Sequence, residues 1–566
     1  MEIDARRQQL ETRFSPWTAM ALDERLDVCA EEFADRPLVV TDDVTWTYRE
    51  VRDLSVRLAD GLAALGIGPE HRVGILMTNF PEFVPAKFAA ARTGAISVPL
   101  NFRYRQEELA YVLRQSQCSV LITMTGFDGM DYLAMLDEIA PGWDHGGCDA
   151  LPDLRHVIAL STDGRERDGA MTLDDLARLG DANAGASAAG RRKPDDVGDM
   201  LYTSGTTGSP KGVLVTHDAV QRTAYGSALT RAYQDGRRVL FSLPCYHMFG
   251  YVEGLLSTML VGGAVIMQTR FDPGEYLRAI EQHRADDMLC VPTMTVALLE
   301  HPDRRTRDLS SLDAMLSGAA PAPAWLYERC RDDLGVTEMV TGYGMTECGG
   351  AMTLTLPEDP IERHVTTVGR PKLAGAAGLP ARGGDLVEYA VADPASGARL
   401  PEGEEGELIS RGPTMMIAFW GKPEETAQTL RDSWVHSGDL GRITPEGYVQ
   451  VTGRSKELYK SGGELVMPKE IEELLCAHDG ISQAFAIGVP DDRWGEIGLV
   501  WIVRAPGSTV TEQEVIALCK DSLARFKVPK HVLFARSDEL PMTPTGKVQK
   551  FRLVRQAQEL LEHVAT

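Results

Sequence analysis

No Cys-x-x-Cys pair occurs in this chain of 566 residues, and its nine cysteines (Cys29, Cys118, Cys148, Cys245, Cys290, Cys330, Cys348, Cys476, Cys519) are scattered and odd in number. That excludes the common zinc and dithiol motifs and suits a reducing compartment. A basic excess is missing too. The formal charge of −24 argues against a nucleic-acid footprint or an anionic membrane surface, so a phosphate ligand would have to be met by a few placed cations. The most apolar stretch, Met259 to Met267, is too short and too glycine-broken to span a bilayer. The first residues, Met1-Glu2-Ile3-Asp4-Ala5-Arg6-Arg7, lack the apolar segment of a signal peptide, and the chain reads as cytoplasmic. There is no tandem repeat. What remains is a chain with ordinary apolar and charged fractions, long enough for several folding units.

Its patterning is that of layered α/β structure. Thr45-Trp46-Thr47-Tyr48 reads as a short strand, and Arg49 to Leu65 as a helix stopping near Gly66. Arg72 to Met77 and Ala95 to Leu100 read as buried strands flanking a helix entered at Pro81, capped by Asn79 and ended near Gly94. The crossover in such a βαβ unit implies parallel strands. Residues 181–197, poor in large apolar side chains, read as a flexible surface link. Further strands are expected at Val239 to Ser242, Ala264 to Met267, Met288 to Val291 and Ala314 to Leu316, with helices near 273–284, 293–301 and 323–334. Beyond about residue 375, short β runs between Gly, Pro and Glu turns suggest a small sheet or distorted barrel. After 454–456 a compact α/β unit follows, with Pro468 at the start of one helix and the capping box Thr511-Glu512-Gln513-Glu514 opening another.

Five runs carry chemistry. Thr203-Ser204-Gly205-Thr206-Thr207-Gly208-Ser209-Pro210-Lys211-Gly212 is rich in hydroxyls and glycines and closes on a lysine, as a phosphate cradle would. It is not a Walker A loop, because Pro210 and Gly212 stand where that motif needs Gly and Ser or Thr. It also lies between two strand-like runs, at a hairpin tip. In Tyr343-Gly344-Met345-Thr346-Glu347, an aromatic ring, a phosphate donor and a hard oxygen ligand suited to Mg²⁺ fall together. Ser437-Gly438-Asp439 presents a carboxylate that can accept from both hydroxyls of a ribose. Gly453-Arg454-Ser455-Lys456 is a basic link at the unit boundary, and Thr545-Gly546-Lys547 offers a lysine after a turn. Alone, each of the last three reads as an ordinary turn or linker.

In this order, and over nearly the whole chain, the five runs resemble the adenylate-forming superfamily of acyl-CoA synthetases, amino-acid adenylation domains and beetle luciferases. The resemblance implies a large N-terminal domain (1–453) of layered α/β sheets plus a small distorted β-barrel (about 375–453). A hinge (454–456) and a small mobile α+β C-terminal domain (457–566) would follow. It implies ATP, Mg²⁺ and CoA, with a carboxylic acid activated as acyl-AMP and then passed to a thiol. Thr203, Ser204, Gly205, Thr206, Thr207 and Gly208 with Lys211 would order over the β- and γ-phosphates, Tyr343 would flank adenine, and Gly318, Ala319 and Ala320 would belong to the nucleotide site while also bordering the acid. Thr346 would meet the α-phosphate, Glu347 the magnesium ion, and Asp439 with Arg454 the ribose. Lys547 would bridge carboxylate and α-phosphate. Lys456 would be the pivot, after which Lys460, Gly462 and Gly463 would serve the thiol step.

By the same resemblance, the acid lies against Tyr246, His247, Phe249, Gly250, Gly342, Met345 and Cys348. The 246–250 group has no Asp to pair an α-amine, and Gly250, Gly318 and Gly342 add little wall volume, so a bulky apolar aliphatic, aryl or polycyclic acid is expected. Gly463-Glu464-Leu465-Val466-Met467-Pro468 departs from the Asn-Ile-aromatic turn that relatives often carry. A carrier-protein phosphopantetheine in place of CoA, a luciferase-type oxygenase and a non-catalytic nucleotide-binding regulator remain as alternatives, and the oligomeric state is open.

Overall fold

The computed structural model describes the chain except for residues 1, 146–147, 166, 168–169, 190–191, 204–209, 455–456, 462–463, 492–493, 544–547 and 566. Among the described residues, one sheet has nine strands, with Arg238–Phe241, Ala264–Met267, Asp287–Cys290, Ala314–Ser317 and Glu338–Met345 at its centre. Successive centre strands pair in parallel, and the register Cys290↔Ser317↔Thr341 brings their carboxyl ends to one edge. These runs are rich in Val, Ile, Leu and Met because helices cover both faces, as a buried parallel sheet requires. Helices Pro273–His283, Pro292–Glu300 and Ala324–Leu334 make the crossovers expected from the sequence.

A second sheet of eight strands carries the N-terminal βαβ unit, with Arg72–Leu76 parallel to Ile96–Pro99. The helix Tyr48–Ala64 packs behind it, opened by a capping box in which Thr47 accepts from Glu50 N and Glu50 from Thr47 N, an arrangement worth about 1 kcal/mol.

Two local expectations fail. Asn79 caps no helix; the helix starts later, at Phe83, and buried Asn79 instead accepts from Cys245 N and donates to the carbonyls of Leu243 and Gln268. It ties the two sheets together at their functional edge. Nor does the start of the 181–197 stretch read as a loose link, because Asp60 accepts from Gly185 N, Ser187 N and the Ser187 hydroxyl. Small residues there let the chain lie flat on helix Tyr48–Ala64.

Beyond 375 the β texture resolves into a five-stranded antiparallel sheet including Glu388–Ala392, Gly406–Arg411, Trp434–Ile443 and Val449–Arg454. From Tyr459 on, strands such as Ile481–Asp491 and Gly495–Arg504 and helices Pro468–Cys476, Glu512–Ser522 and Lys550–Ala565 enclose two hydrophobic clusters separate from the large core. A polar contact links this unit to the rest, Lys469 Nζ donating to Val451 O. No helix of the described residues is long and apolar enough to cross a membrane.

Candidate active site

The phosphate-cradle run is flanked by two paired strands. Strands Val197–Thr203 and Lys211–Thr216 are antiparallel with Thr203 opposite Lys211. Ser204, Gly205, Thr206, Thr207 and Gly208 lie outside the described residues. The ends of these strands are gripped by side chains that composition and spacing do not single out. Trp420 N donates to Gly212 O at 2.7 Å, Trp420 Nε1 donates to Gln115 O at 3.1 Å, and Gln115 Nε2 returns a bond to Trp420 O at 2.7 Å. Tyr202 OH donates to Gln115 Oε1, and the Lys211 ammonium stands 5.0 Å from the Phe419 ring centroid. The aromatic pair Phe419-Trp420, just ahead of Gly421-Lys422-Pro423, is the sequence signal of this clamp.

At the edge where the parallel strands end, Ser317 passes into Gly318 and Ala319. Gly318 N donates to Cys290 O, and Ala319 has φ +70°, a left-handed conformation that an L side chain adopts at a cost of about 1–2 kcal/mol. Such strain clusters at ligand-holding turns. The neighbouring strand Glu338–Met345 delivers Tyr343 and runs into the turn Thr346–Cys348. Thr346 is buried, and the main-chain carbonyl of Glu347 accepts from Met416 N at 2.8 Å.

Across from it, Asp439 and Arg454 face each other on paired antiparallel strands, with Arg454 Nε 2.8 Å from Asp439 Oδ1. The Tyr343 hydroxyl donates to the other oxygen, Asp439 Oδ2. Burial first, then the Asp439 charge, holds the Tyr343 phenol well above its ordinary pKa, so it remains a neutral donor. Burial opposes the charge of Arg454, but Asp439 and Glu457 outweigh it and raise the guanidinium pKa. The carboxylate is aimed from behind: Ser437 Oγ accepts from Asp439 N at 3.0 Å and donates to Leu408 O, while Glu407 accepts from Gly438 N at 2.9 Å. Three runs 343–347, 437–439 and 453–454, far apart in sequence, thus converge.

The proposed acid-side residues divide. Phe249 lies against Gly318, whose missing Cβ would sit 2.9 Å from the ring. His247 Nδ1 accepts from Phe249 N at 3.2 Å and shapes that turn. Tyr246 instead joins the core, its ring 5.7 Å from that of Phe102. Cys348 is buried with its sulfur 3.4 Å from Ser410 Oγ, and burial pushes its thiol pKa up. Met345 is half-buried against the large core.

Two of the three glycines do not open a wall. A Cβ on Gly342 would meet Thr353 O at 2.4 Å, and one on Gly250 would meet the carbonyls of Leu243 and Pro244 at 2.4 and 2.6 Å. Close backbone approach, not pocket volume, requires glycine there.

On the C-terminal unit, Lys460 is exposed and its amide donates to Glu496 at 2.9 Å. Lys456, Gly462, Gly463 and Lys547 lie outside the described residues. The residues flanking 544–547 close on each other through a Met542↔Val548 bridge and a Gln549 N to Pro541 O bond of 2.7 Å. Lys550, which the sequence leaves unremarked, spans Glu457 and Glu472 at 2.8 and 2.7 Å and so ties the start of the last helix to the segment after Lys456.

Among the described residues, no three His, Cys, Asp or Glu side chains are grouped to hold a metal. The donor set at the Thr346–Cys348 turn, a single hard carboxylate beside a hydroxyl, fits Mg²⁺ shared with a polyphosphate and not an all-protein cage.

Known proteins resemble this chain over most of its length. The model of the AMP-binding enzyme family matches residues 26–420, and that of the AMP-binding enzyme C-terminal domain matches residues 470–547. A 3-[(3aS,4S,7aS)-7a-methyl-1,5-dioxo-octahydro-1H-inden-4-yl]propanoyl:CoA ligase of Mycobacterium tuberculosis is 36% identical over 532 residues, covering 93% of this chain and 97% of that one. A feruloyl-CoA synthase of an Amycolatopsis species is 36% identical over 511 residues, 89% and 92% of the two chains. Among solved structures, the anthranilate CoA ligase AuaEII in complex with anthranoyl-AMP superposes with a TM-score of 0.81 at 25% identity, covering 95% of this chain and 97% of that one. ATP-bound MatB from Rhodopseudomonas palustris gives 0.80 at 28% identity, covering 96% and 100%.

Proposed function

The chain belongs to the AMP-binding enzyme family, in its acyl-CoA synthetase branch, and from that premise we propose that it activates a bulky apolar carboxylic acid with ATP and passes the acyl group to CoA. The observation that carries the reading is the convergence of Tyr343, Asp439 and Arg454 beside the Thr346-Glu347 turn.

A carboxylate is a poor electrophile because its leaving group would be oxide. In the first step one of its oxygens attacks the α-phosphorus of ATP; an O–P bond forms and the bond to pyrophosphate breaks. Alignment and charge neutralisation supply most of the acceleration of such a transfer. Asp439 holds the ribose, Gly318, Ala319, Ala320 and Tyr343 border the base, and Thr346 donates to the α-phosphate. Thr203 and the 204–208 loop with Lys211 hold the departing pyrophosphate. Lys547 neutralises the oxygens on which charge gathers in the transition state, where its binding counts most. When bound, Mg²⁺ adds charge neutralisation at the phosphates, with Glu347 as its protein ligand.

In the second step the CoA sulfur attacks the acyl carbon, the C–O bond to AMP breaks and the thiol proton is released. A turn of the 457–566 domain about Lys456 would withdraw Lys547 and bring Lys460, Gly462 and Gly463 to this step. Such a change concentrates in a few hinge residues.

For the acid, support comes from Phe249 against Gly318, from a 246–250 group without a carboxylate, and from two relatives named for a fused-ring propanoate and for feruloyl-CoA. Hydroxylamine trapping over straight-chain, aryl and polycyclic acids, followed by CoA addition, tests the proposal. Hydroxamate with a subset of apolar acids and their CoA thioesters are expected. Hydroxamate with transfer only to a phosphopantetheinylated carrier protein would overturn CoA as acceptor, and no acid-dependent pyrophosphate release at all would overturn catalysis.

A further inference from the structure

The segment that follows His247 and Met248 is a π-helix, Phe249–Leu256, wound with one more residue per hydrogen-bonded turn than an α-helix. This winding is rare, occurs mostly as single-turn bulges, and is often found at functional sites. Its sequence, Phe-Gly-Tyr-Val-Glu-Gly-Leu-Leu, is apolar but for one acid, and both of its hydrogen-bonding side chains end in buried ion pairs.

Glu253 Oε1 is 2.6 Å from Lys372 Nζ, with the side chains 2% and 0% exposed. Lys372 also donates to Thr223 O at 3.4 Å, and the second Glu253 oxygen takes the Ser227 hydroxyl. Two residues away, Tyr251 OH donates to Asp199 Oδ2 at 3.1 Å. Asp199 Oδ1 is paired with Lys87 Nζ at 2.6 Å, and that ammonium stands 4.9 Å from the Tyr251 ring centroid.

These contacts reach toward the reacting groups from two sides. Asp199 lies on strand Val197–Thr203, which leads into the phosphate-cradle run. Glu253 lies beneath the residues that follow Thr346 and Glu347: a Cβ on Gly350 would be 3.8 Å from both Glu253 Oε1 and Met248 Cβ.

Stability alone does not account for such pairs. Desolvating two charges offsets most of their attraction, and well-packed apolar replacements of a buried pair are often as stable or more so. What an apolar patch lacks is direction: it permits a π-helix to slide into the commoner α register, whereas a carboxylate seated between Lys372 and Ser227 fits one register only. One register step would carry Phe249 off Gly318.

We propose that Glu253 and Lys372 are positioning residues that fix the π register of Phe249–Leu256 and thereby set acid selectivity. The claim about selectivity rests on the reading of 246–250 as the acid side; the claim about register does not.

The test compares Glu253→Gln, the apolar pair Glu253→Met with Lys372→Met, and Phe249→Ala in the full chain. Hydrogen exchange of the 248–256 amides needs no substrate. Acid and ATP KM values are taken with whichever of octanoate, decanoate and ferulate gives most hydroxamate. For Glu253→Gln, exchange at least tenfold faster and an acid KM at least tenfold higher are expected, with the ATP KM within twofold. In the Met pair the melting temperature should return to the wild-type value or above while exchange stays fast and the acid KM stays high. Unchanged exchange in Glu253→Gln, or an acid KM that recovers together with the melting temperature, would overturn the proposal. If Phe249→Ala alters neither the acid KM nor the ranking of acids, the acid-side reading falls, and the exchange data still decide the register claim.

Discussion

Replacing Asp439 by Asn tests the convergent site most sharply, because the amide keeps the shape and removes the charge. In the free protein the carboxylate accepts from Tyr343 OH and Arg454 Nε. The folding cost should be small. The Arg454 side chain is 41% exposed, so its pairing is worth under about 1 kcal/mol, and the Asn carbonyl can still accept from Tyr343. In a chain of this size that is a melting shift of no more than about 2 °C. Catalysis should suffer far more. A carboxylate accepting from both ribose hydroxyls gains about 1.5–3 kcal/mol from each charge-assisted bond, and the amide keeps only one neutral acceptor. A net loss of about 3 kcal/mol is a fall of roughly 150-fold in kcat/KM for ATP. Pyrophosphate exchange, with ATP varied at saturating acid and acid varied at saturating ATP, measures it. A fall of less than about fivefold for ATP, or an equal change on the acid side, would refute the assignment of Asp439 to the ribose.

Three further outcomes follow from packing and titration. Burial, aided by the charges of Lys87 and Arg192, lowers the His217 pKa from 6.5 to about 3. The unfolded chain therefore takes up a proton below pH 6.5 that the folded one refuses, and stability falls on acidification from 6.5 toward 3, by about 2 kcal/mol at pH 5 from this residue alone. Urea unfolding at pH 7 and pH 5 should show a drop shallower by that amount in His217→Asn; equal drops would contradict it. Gly342→Ala should destabilise by about 1–3 kcal/mol, because its Cβ collides with Thr353 O, while the acid ranking of the folded fraction stays as it was. Gly318→Ala should do the reverse, since its neighbour is the Phe249 ring. An altered ranking in Gly342→Ala, read by hydroxamate yields, would restore that glycine to the pocket wall.

Much of this was legible because local chemistry and tertiary role agree. Alternating and continuous apolar runs announced the centre strands, and Thr511 with Glu514 announced a helix start. The paired strands that flank 204–209 followed from their strand-like sequence. The failures have a common cause, a residue whose local habit was overridden by a distant partner. Asn79 has the habit of a cap, but the carbonyls of Leu243 and Gln268 claim it. Gly250 and Gly342 look like space and are contact. Gln115, Trp420, Glu253, Lys372 and Lys550 matter through partners tens to hundreds of residues away, and no spacing rule links them.

The central claim is that an oxygen of the acid becomes bonded to the α-phosphorus of ATP before the thiol takes the acyl group. Its most direct test is a turnover with the best acid of the screen, labelled with ¹⁸O in both carboxylate oxygens, in the presence of ATP and CoA. One ¹⁸O should leave in AMP and the other remain in the thioester, with unlabelled pyrophosphate. Label in inorganic phosphate with ADP as the nucleotide product, or AMP free of label, would contradict the account.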